Sequence, residues 1–445
     1  MKRWRLGWAV IGSALIVAMP ARAGEDESSM HDLIGVLKER GVIGEDDYEA
    51  IAAKNAAWET RRAQDRKPAL SFHGDLRGRY ESFVYDEDET GSERTNRHRG
   101  RYRLRLGANA EINDRATVVM RLVSGDTDLR STNQTLGSGV DFDTDDLRID
   151  LAYAHVSPFA HGRLGENGRL AFELGKVPNP YVWKQGKDFM LWDHDITLEG
   201  VSALSSVEIT EGLEAFLSGG YYILDENSTS KDPHLWAVQT GFHASPAESV
   251  SLGARVSWFR FSSLDADFHA RSVDGSGGAT AGGGNIADGL SGGVGSQDVQ
   301  VVETAAYLGL LGGTSWPVLL YATWANNLTA EASQIFPSLQ DEEDTAWGAG
   351  VEIGNKKKYV MLGVGYWHIE ANAFPSQFID SDLFDGVTNR EGFAVYGSRS
   401  ILKNTDLNLS VFISDEIESA LPVFVDSVPD ADRVRVQADL VFSFK

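Results

Sequence analysis

The chain has 445 residues, with 41 Lys and Arg against 65 Asp and Glu and a formal net charge of -24 at pH 7. That balance argues against a nucleic-acid binder, which needs clustered cations facing phosphate, and the lack of cysteine excludes a disulfide scaffold, thiol catalysis and a Cys-ligated zinc. Aromatics are abundant (Trp 11, Tyr 13, Phe 20) and so is Gly at 46; β-barrels place the former at membrane interfaces and the latter where strands bend.

In chain order, Lys2, Arg3 and Arg5 precede an apolar run from Leu6 to Met19, and Ala21-Arg22-Ala23 supplies small residues at a cleavage position. Residues 1–23 therefore read as a secretory signal peptide, since the apolar run is short for an uncleaved helical anchor. No later stretch holds 18 consecutive apolar residues, which excludes a helical membrane protein. The remaining destinations are the periplasm, the exterior and, as a barrel, the outer membrane.

Residues 24–68 read as a short helical leader on the periplasmic side. Ser29-Met30-His31-Asp32 resembles a capping box, and Leu33, Ile34 and Leu37 follow at helical spacing. Gly41 and Gly44 interrupt the pattern, and a second helix could start at Glu45 with Tyr48, Ile51 and Ala52. The segment is too small to fold alone; it is either a spacer or plug-like tail, or a helix that self-associates or touches the cell wall.

From Leu70 the period becomes two. Leu70, Phe72, Leu76, Tyr80 and Val84 share one face, and Asp75, Arg77, Arg79 and Glu81 share the other. Tyr102, Leu104 and Leu106 then alternate with Arg101, Arg103 and Arg105, and Val118, Met120 and Leu122 with Arg121. Sixteen such segments can be marked: 70–84, 98–111, 115–124, 147–157, 169–177, 200–207, 213–224, 234–244, 249–261, 299–311, 317–325, 345–354, 358–370, 391–400, 405–414 and 433–444. Short connections (113–114, 210–212, 245–248, 312–315, 355–357) alternate with long ones (85–97, 125–146, 178–199, 262–298, 326–344, 371–390, 415–432). Strict alternation over such segments, with short periplasmic turns and long extracellular loops, is the pattern of an all-β, transmembrane antiparallel barrel of about 16 strands over residues 69–445. A secreted β-sandwich also alternates, but its solvated face carries scattered Ser, Thr and Lys; here neighbouring strands stack Arg on Arg, as a wet lumen allows. In the last segment Val434, Val436, Ala438, Leu440, Phe442 and Phe444 face lipid while Arg433, Arg435, Gln437 and Asp439 face inward. Barrels commonly end in an aromatic residue read by the barrel-assembly machinery; here Lys445 follows Phe444, displacing that match by one position.

Three stretches resemble the putative porin family of Gram-negative bacteria. They are Arg99-Gly100-Arg101-Tyr102-Arg103-Leu104-Arg105-Leu106-Gly107; Ser131-Thr132-Asn133-Gln134-Thr135-Leu136-Gly137; and Gly175-Lys176-Val177-Pro178-Asn179-Pro180-Tyr181 with Leu191-Trp192-Asp193-His194-Asp195 and Glu199-Gly200. The leader around Leu37-Lys38-Glu39-Arg40-Gly41-Val42-Ile43 is similar as well, whereas the Gly-rich stretch 275–295 matches nothing in the family. The resemblance implies an outer-membrane channel for small hydrophilic solutes or ions, with no cofactor and no assigned substrate. Its surroundings would be outer-membrane lipid and lipopolysaccharide, and porins in general suggest a homotrimer. It also implies that the third long loop, 178–199, folds into the barrel and narrows it.

Strand parity puts Arg77, Arg79, Arg101, Arg103, Arg105, Arg121 and Arg148 on the lumen side of adjacent strands, and the loop 178–199 brings Lys184, Lys187, Asp188, Asp193, Asp195 and Glu199. Either the arginines pair locally and only hold the barrel together, or they also form one side of a transverse field that selects solutes by size and charge. The acidic runs Asp86-Glu87-Asp88-Glu89 and Asp341-Glu342-Glu343-Asp344 are solvated surface, or they collect divalent cations beside lipopolysaccharide. The stretch 273–298 lacks the Gly-Lys-Ser/Thr ending of a phosphate loop and reads as a flexible outer loop. Asp193-His194-Asp195 is a structural turn before it is a metal site. None of the ten His residues stands in a Gly-x-Ser-x-Gly or His-x-x-x-His context, so a barrel hydrolase is the least favoured alternative. A surface adhesin or receptor barrel without conductance is the other.

Overall fold

The structure, a computed structural model, describes residues 36–38, 40, 42–54, 69–85, 96–125, 130–138, 144–165, 167–183, 191–228, 231–264, 280–281, 283–286, 298–334, 341–418, 424–425, 428–429 and 433–445. The signal peptide 1–23 and the capping-box residues 29–32 lie outside them, as do Lys184, Lys187, Asp188, Gly282 and the acidic run 86–89. Residues 45–54 are helical, where the second leader helix was expected.

The rest is one closed antiparallel barrel of sixteen strands. In chain order these are β1 (Ala69–Tyr85), β2 (Arg97–Glu111), β3 (Ala116–Ser124), β4 (Leu147–Val156), β5 (Gly168–Pro178), β6 (Thr197–Thr210), β7 (Leu213–Ile223) and β8 (His234–Ala247). They continue as β9 (Val250–Ser262), β10 (Val299–Leu310), β11 (Val318–Asn327), β12 (Thr345–Gly354), β13 (Met361–Ile369), β14 (Arg390–Leu402), β15 (Thr405–Glu416) and β16 (Arg433–Phe444). Each expected segment has its strand; the 200–207 segment is lengthened to all of β6. Every strand pairs with its sequence neighbours, and β16 closes the ring on β1, from Gly74 opposite Phe444 to Tyr85 opposite Arg433. Closure removes the unpaired edges that an open sheet would expose to lipid.

Alternation then sorts the side chains. Phe72, Leu76 and Tyr80 of β1, Val118 and Met120 of β3, Leu320 and Trp324 of β11 and Phe442 and Phe444 of β16 all project outward and are exposed. Trp316 stacks on Tyr359 at the short-turn end, with ring centroids 5.9 Å apart. At the long-loop end Tyr221 meets Trp236 at 4.7 Å and Trp347 meets Tyr366 at 5.4 Å. Two aromatic girdles bracketing an apolar band are what a bilayer's two interfaces select. Where β5 meets β6, Gly175 lies opposite Gly200. A Cβ on either would sit 2.3 or 2.1 Å from a neighbouring backbone oxygen, of Ala152 or Tyr221 respectively; only glycine fits that approach.

The interior departs from an open tube. The segment 371–389 folds into the barrel, with almost every residue from Ala371 to Arg390 buried. Phe374 and Phe378 meet Trp192 of the 179–196 connection at 5.3 Å each, and Phe261 of β9 at 5.4 and 5.2 Å. A short piece of the long 263–298 connection is pinned to this insert: Asn285 Nδ2 donates to the carbonyls of Ala371 and Phe374, at 2.7 and 2.8 Å. The connection 371–390, expected as an outer loop, is thus corrected to a segment buried inside the barrel. The reason is composition. Phe374, Phe378, Ile379, Leu383 and Phe384 would be costly to leave in water, and inward-facing Phe259, Phe261, Val299, Val301, Trp367 and Ile369 give them an apolar surface to cover.

Candidate functional site

Opposite that apolar plug stands a wall of guanidiniums on β16, β1, β2 and β3. The register places Arg77 directly across from Arg103 and Arg79 across from Arg101. Like charges opposite one another in a sheet repel, so anions must come between them. Glu81, fully buried, takes Arg435 at 2.6 Å and Arg99 at 2.5 Å. Asp439 takes both Nε and Nη2 of Arg79, at 2.7 and 2.8 Å, a bidentate pair across the β16–β1 closure. Asp75 takes Arg103 at 2.8 Å. Arg121 reaches Asp150 at 2.5 Å, where a register shift between β3 and β4 turns that carboxylate inward.

The loops add the remaining carboxylates. Asp195 binds Arg105 and lies 3.8 Å from Arg103. Asp382 binds Arg79 at 2.7 Å and Arg435 at 3.1 Å, and Asp385 binds Arg433 and, at 2.8 Å, Arg435. Burial alone would raise the Asp195 carboxyl, but Arg105, Arg103 and Arg77 outweigh it and hold it below its ordinary range. Asp193, two residues earlier, goes the other way: it is buried, and Asp380 and Asp195 stand near it. Its carboxylate serves the backbone, accepting the N–H of Ser381 and of Asp195 at 2.7 Å each. The Asp193-His194-Asp195 triplet therefore works as a joint between two loops and the wall.

Among the described residues the ion pairs of the wall fall into two adjoining groups, Arg77, Arg79, Arg99, Arg101, Arg433 and Arg435 with Glu81, Asp382, Asp385 and Asp439, and Arg103 and Arg105 with Asp75 and Asp195, together eight guanidiniums against six carboxylates, a surplus of two positive charges. The Nε–H groups of Arg77, Arg101, Arg103 and Arg105 are buried without a partner among those residues, and so is that of Arg148. Such donors are costly to leave unpaired, while the rest of each guanidinium keeps some exposure, between 10% and 16% of the side chain for Arg77, Arg101, Arg103 and Arg105.

Of the residues expected here, Arg77, Arg79, Arg101, Arg103, Arg105 and Arg121 share one wall, Arg148 stands on the next strand, β4, and Asp195 comes to the wall with Asp193 behind it. Glu199 does not. It projects from the outer face of β6 and pairs with Lys176 at 2.6 Å, because residues 197–199 already belong to the strand and parity turns residue 199 outward. Asp75, Glu81, Arg433, Arg435 and Asp439 were legible as inward by parity but not as partners. Asp382 and Asp385 sit in a connection without periodicity.

A second acidic group lies at the long-loop mouth. In the run 341–344, Asp341 and Glu342 are exposed but Glu343 is buried. Burial, then the Glu370, Glu418 and Asp341 carboxylates, push Glu343 up to about 7. A folded value above the unfolded one means that its contribution to stability is full below about pH 4.5 and is lost as pH rises to about 7. Glu343→Gln should therefore flatten the fall in unfolding midpoint across that interval; superimposable pH profiles for variant and wild type would refute the assignment.

Residues 90–280 match the family described as putative porin. No curated protein matches the chain. Among solved structures it is similar to OprB of Pseudomonas putida, with 10% identity, TM-score 0.48, and 87% of this chain and 97% of that one covered. It is similar to the outer membrane channel DcaP of Acinetobacter baumannii, with 12% identity, TM-score 0.46 and coverage of 85% and 98%. It is also similar to OmpF of Salmonella typhi, solved with daunomycin, with 11% identity, TM-score 0.48 and coverage of 85% and 98%. The match to the family described as putative porin thus covers residues 90–280, which lie within a closed sixteen-stranded barrel.

Proposed function

We propose that this protein is a passive outer-membrane diffusion channel in which small hydrophilic solutes pass beside the charged seam, and that the seam favours anions. The observation that carries the reading is the surplus of guanidinium over carboxylate there among the described residues, with the side chains of Arg77, Arg101, Arg103 and Arg105 still partly exposed. In a confined, poorly screened passage exposed guanidinium groups replace part of an anion's hydration shell and repel cations. The inserts 179–196 and 371–389 supply the narrowing, and Lys184, Lys187 and Asp188 belong to the first of them by sequence. The aromatic girdles and outward apolar band suit lipid and lipopolysaccharide, β16 offers the strand that assembly factors read, and a homotrimer fits the family. No step needs a cofactor.

The test is single-channel recording in planar bilayers under a salt gradient. A reversal potential of anion sign is expected, and one of cation sign would refute the preference. A second reading, a surface receptor barrel without conductance, draws on how far residues 371–389 fill the lumen; folded protein that gives no channels at all would favour it.

A further inference from the structure

The insert 371–389 is anchored on its apolar side by Phe374 and Phe378, and it carries Asp382 and Asp385 to the arginine wall on a turn with left-handed backbone. Phe384, Asp385 and Gly386 have φ of 51, 58 and 72°, a left-handed run that Phe and Asp do not adopt unless their surroundings impose it. The imposing group comes from another loop. Arg130, 1% exposed, lies just before the family-like stretch 131–137. Its Nη1 donates to the carbonyls of Ser376 at 2.9 Å, Ile379 at 3.2 Å and Gly386 at 2.5 Å. Its own carbonyl accepts the hydroxyl of Ser381 at 3.0 Å. The two hydrogens of Nη1 are shared among the three carbonyls, and the charge on the donor strengthens each bond.

Arg130 is held in turn by the wall. Residues 134–135 pair with β2 at Tyr102 and Arg101. Asn133 Oδ1 accepts Arg77 Nη2 at 2.5 Å, Ser131 Oγ accepts Arg101 Nη2 at 2.9 Å, and the Thr132 hydroxyl donates to Asp195 at 2.8 Å. The route from wall to insert therefore runs through residues 130–135 and returns to the wall through Asp382 and Asp385.

We propose that Arg130 is a positioning residue of the channel: it sets where segment 380–385 lies against the arginine wall, and thereby the bore and charge preference, without meeting a solute itself. The proposal rests on the channel reading above. Without Arg130 the turn relaxes and Asp382 and Asp385 withdraw. The wall then loses the carboxylates that offset Arg79, Arg433 and Arg435, the passage widens, and anion preference rises. Gly386 reaches the same contact from the other side. A Cβ there would stand 2.3 Å from Arg130 Nη1.

The experiment compares wild type, Arg130→Met, Arg130→Lys, Gly386→Ala, the Asp382→Asn/Asp385→Asn double variant, and that double variant combined with Arg130→Met. All are full-length, checked for heat-modifiable gel migration, and recorded in planar bilayers under a potassium chloride gradient. Arg130→Met and Gly386→Ala should raise unit conductance and move the reversal potential in the anion direction, as the aspartate double variant does. Adding Arg130→Met to that double variant should move the potential no further, and Arg130→Lys should recover part of the wild-type value. Folded Arg130→Met channels with wild-type conductance and potential would overturn the proposal, as would a full additive shift on the aspartate background. Should Arg130→Met fail to assemble, a wild-type-like Gly386→Ala channel overturns it equally. A wild type that never conducts would bring down the channel reading itself, which is a different result from a conducting wild type indifferent to residue 130.

Discussion

Glu81→Gln is expected to destabilise the barrel by about 3–5 kcal/mol, the scale seen when one partner of a buried ion network is removed. Glu81 has no solvent exposure and stands at the centre of the network, with Arg435, Arg99, Arg79 and Arg101 between 2.5 and 3.6 Å from its carboxylate and Gln437 donating to it at 3.2 Å. The glutamine amide keeps the volume and one acceptor but cancels the charge, so the two closest guanidiniums would stand beside a dipole in a site shut off from water. The measurement is the urea unfolding midpoint of detergent-refolded protein, with the temperature of the heat-modifiable gel shift as a second readout. A Gln variant as stable as wild type would show that the guanidiniums of this wall are solvated and that the network is ornamental.

The largest functional effect is expected from Arg101→Gln, Arg103→Gln and Arg105→Gln made together. Taking three cations from the seam leaves five guanidiniums facing six carboxylates, so the sign of the local charge reverses. The reversal potential should move from the anion side toward the cation side. Recording at low salt keeps the effect visible, since the Debye length shrinks to about 3 Å at 1 M and charges lining a wet passage are then screened. An unchanged potential in a triple variant that still assembles would remove the seam from any part in selectivity. Residual conductance alone would not, because bore and charge are separate properties of the passage.

The strands were legible because a barrel writes its period into every one of them, and length errors stayed at the strand ends. The inward set of β1, β2 and β16 follows from the same parity, so the sequence alone places Glu81, Arg435 and Asp439 on the lumen side. What parity could not say is which of them meet, because contact depends on register. A shift of one residue between β1 and β16 would separate Asp439 from Arg79. The insert 371–389 was misread as an external loop for a related reason: it has no period. A signal was nevertheless present in β9, β10 and β13, where Phe259, Phe261, Val299, Val301, Trp367 and Ile369 are apolar on the face that should have been wet. An apolar inner face in a barrel calls for something apolar to cover it, and the one long connection rich in Phe, Ile and Leu was the available cover. Glu199 failed at a boundary, where the strand began three residues before its expected start.

The closure of β16 on β1 has a consequence for how the molecule is made. A nascent sheet that ends at β15 holds Arg79 without Asp439 and Glu81 without Arg435. Its first strand is then both open along one edge and electrically unbalanced. β16 supplies the missing hydrogen-bond ladder and the missing counter-charges together when it docks on β1.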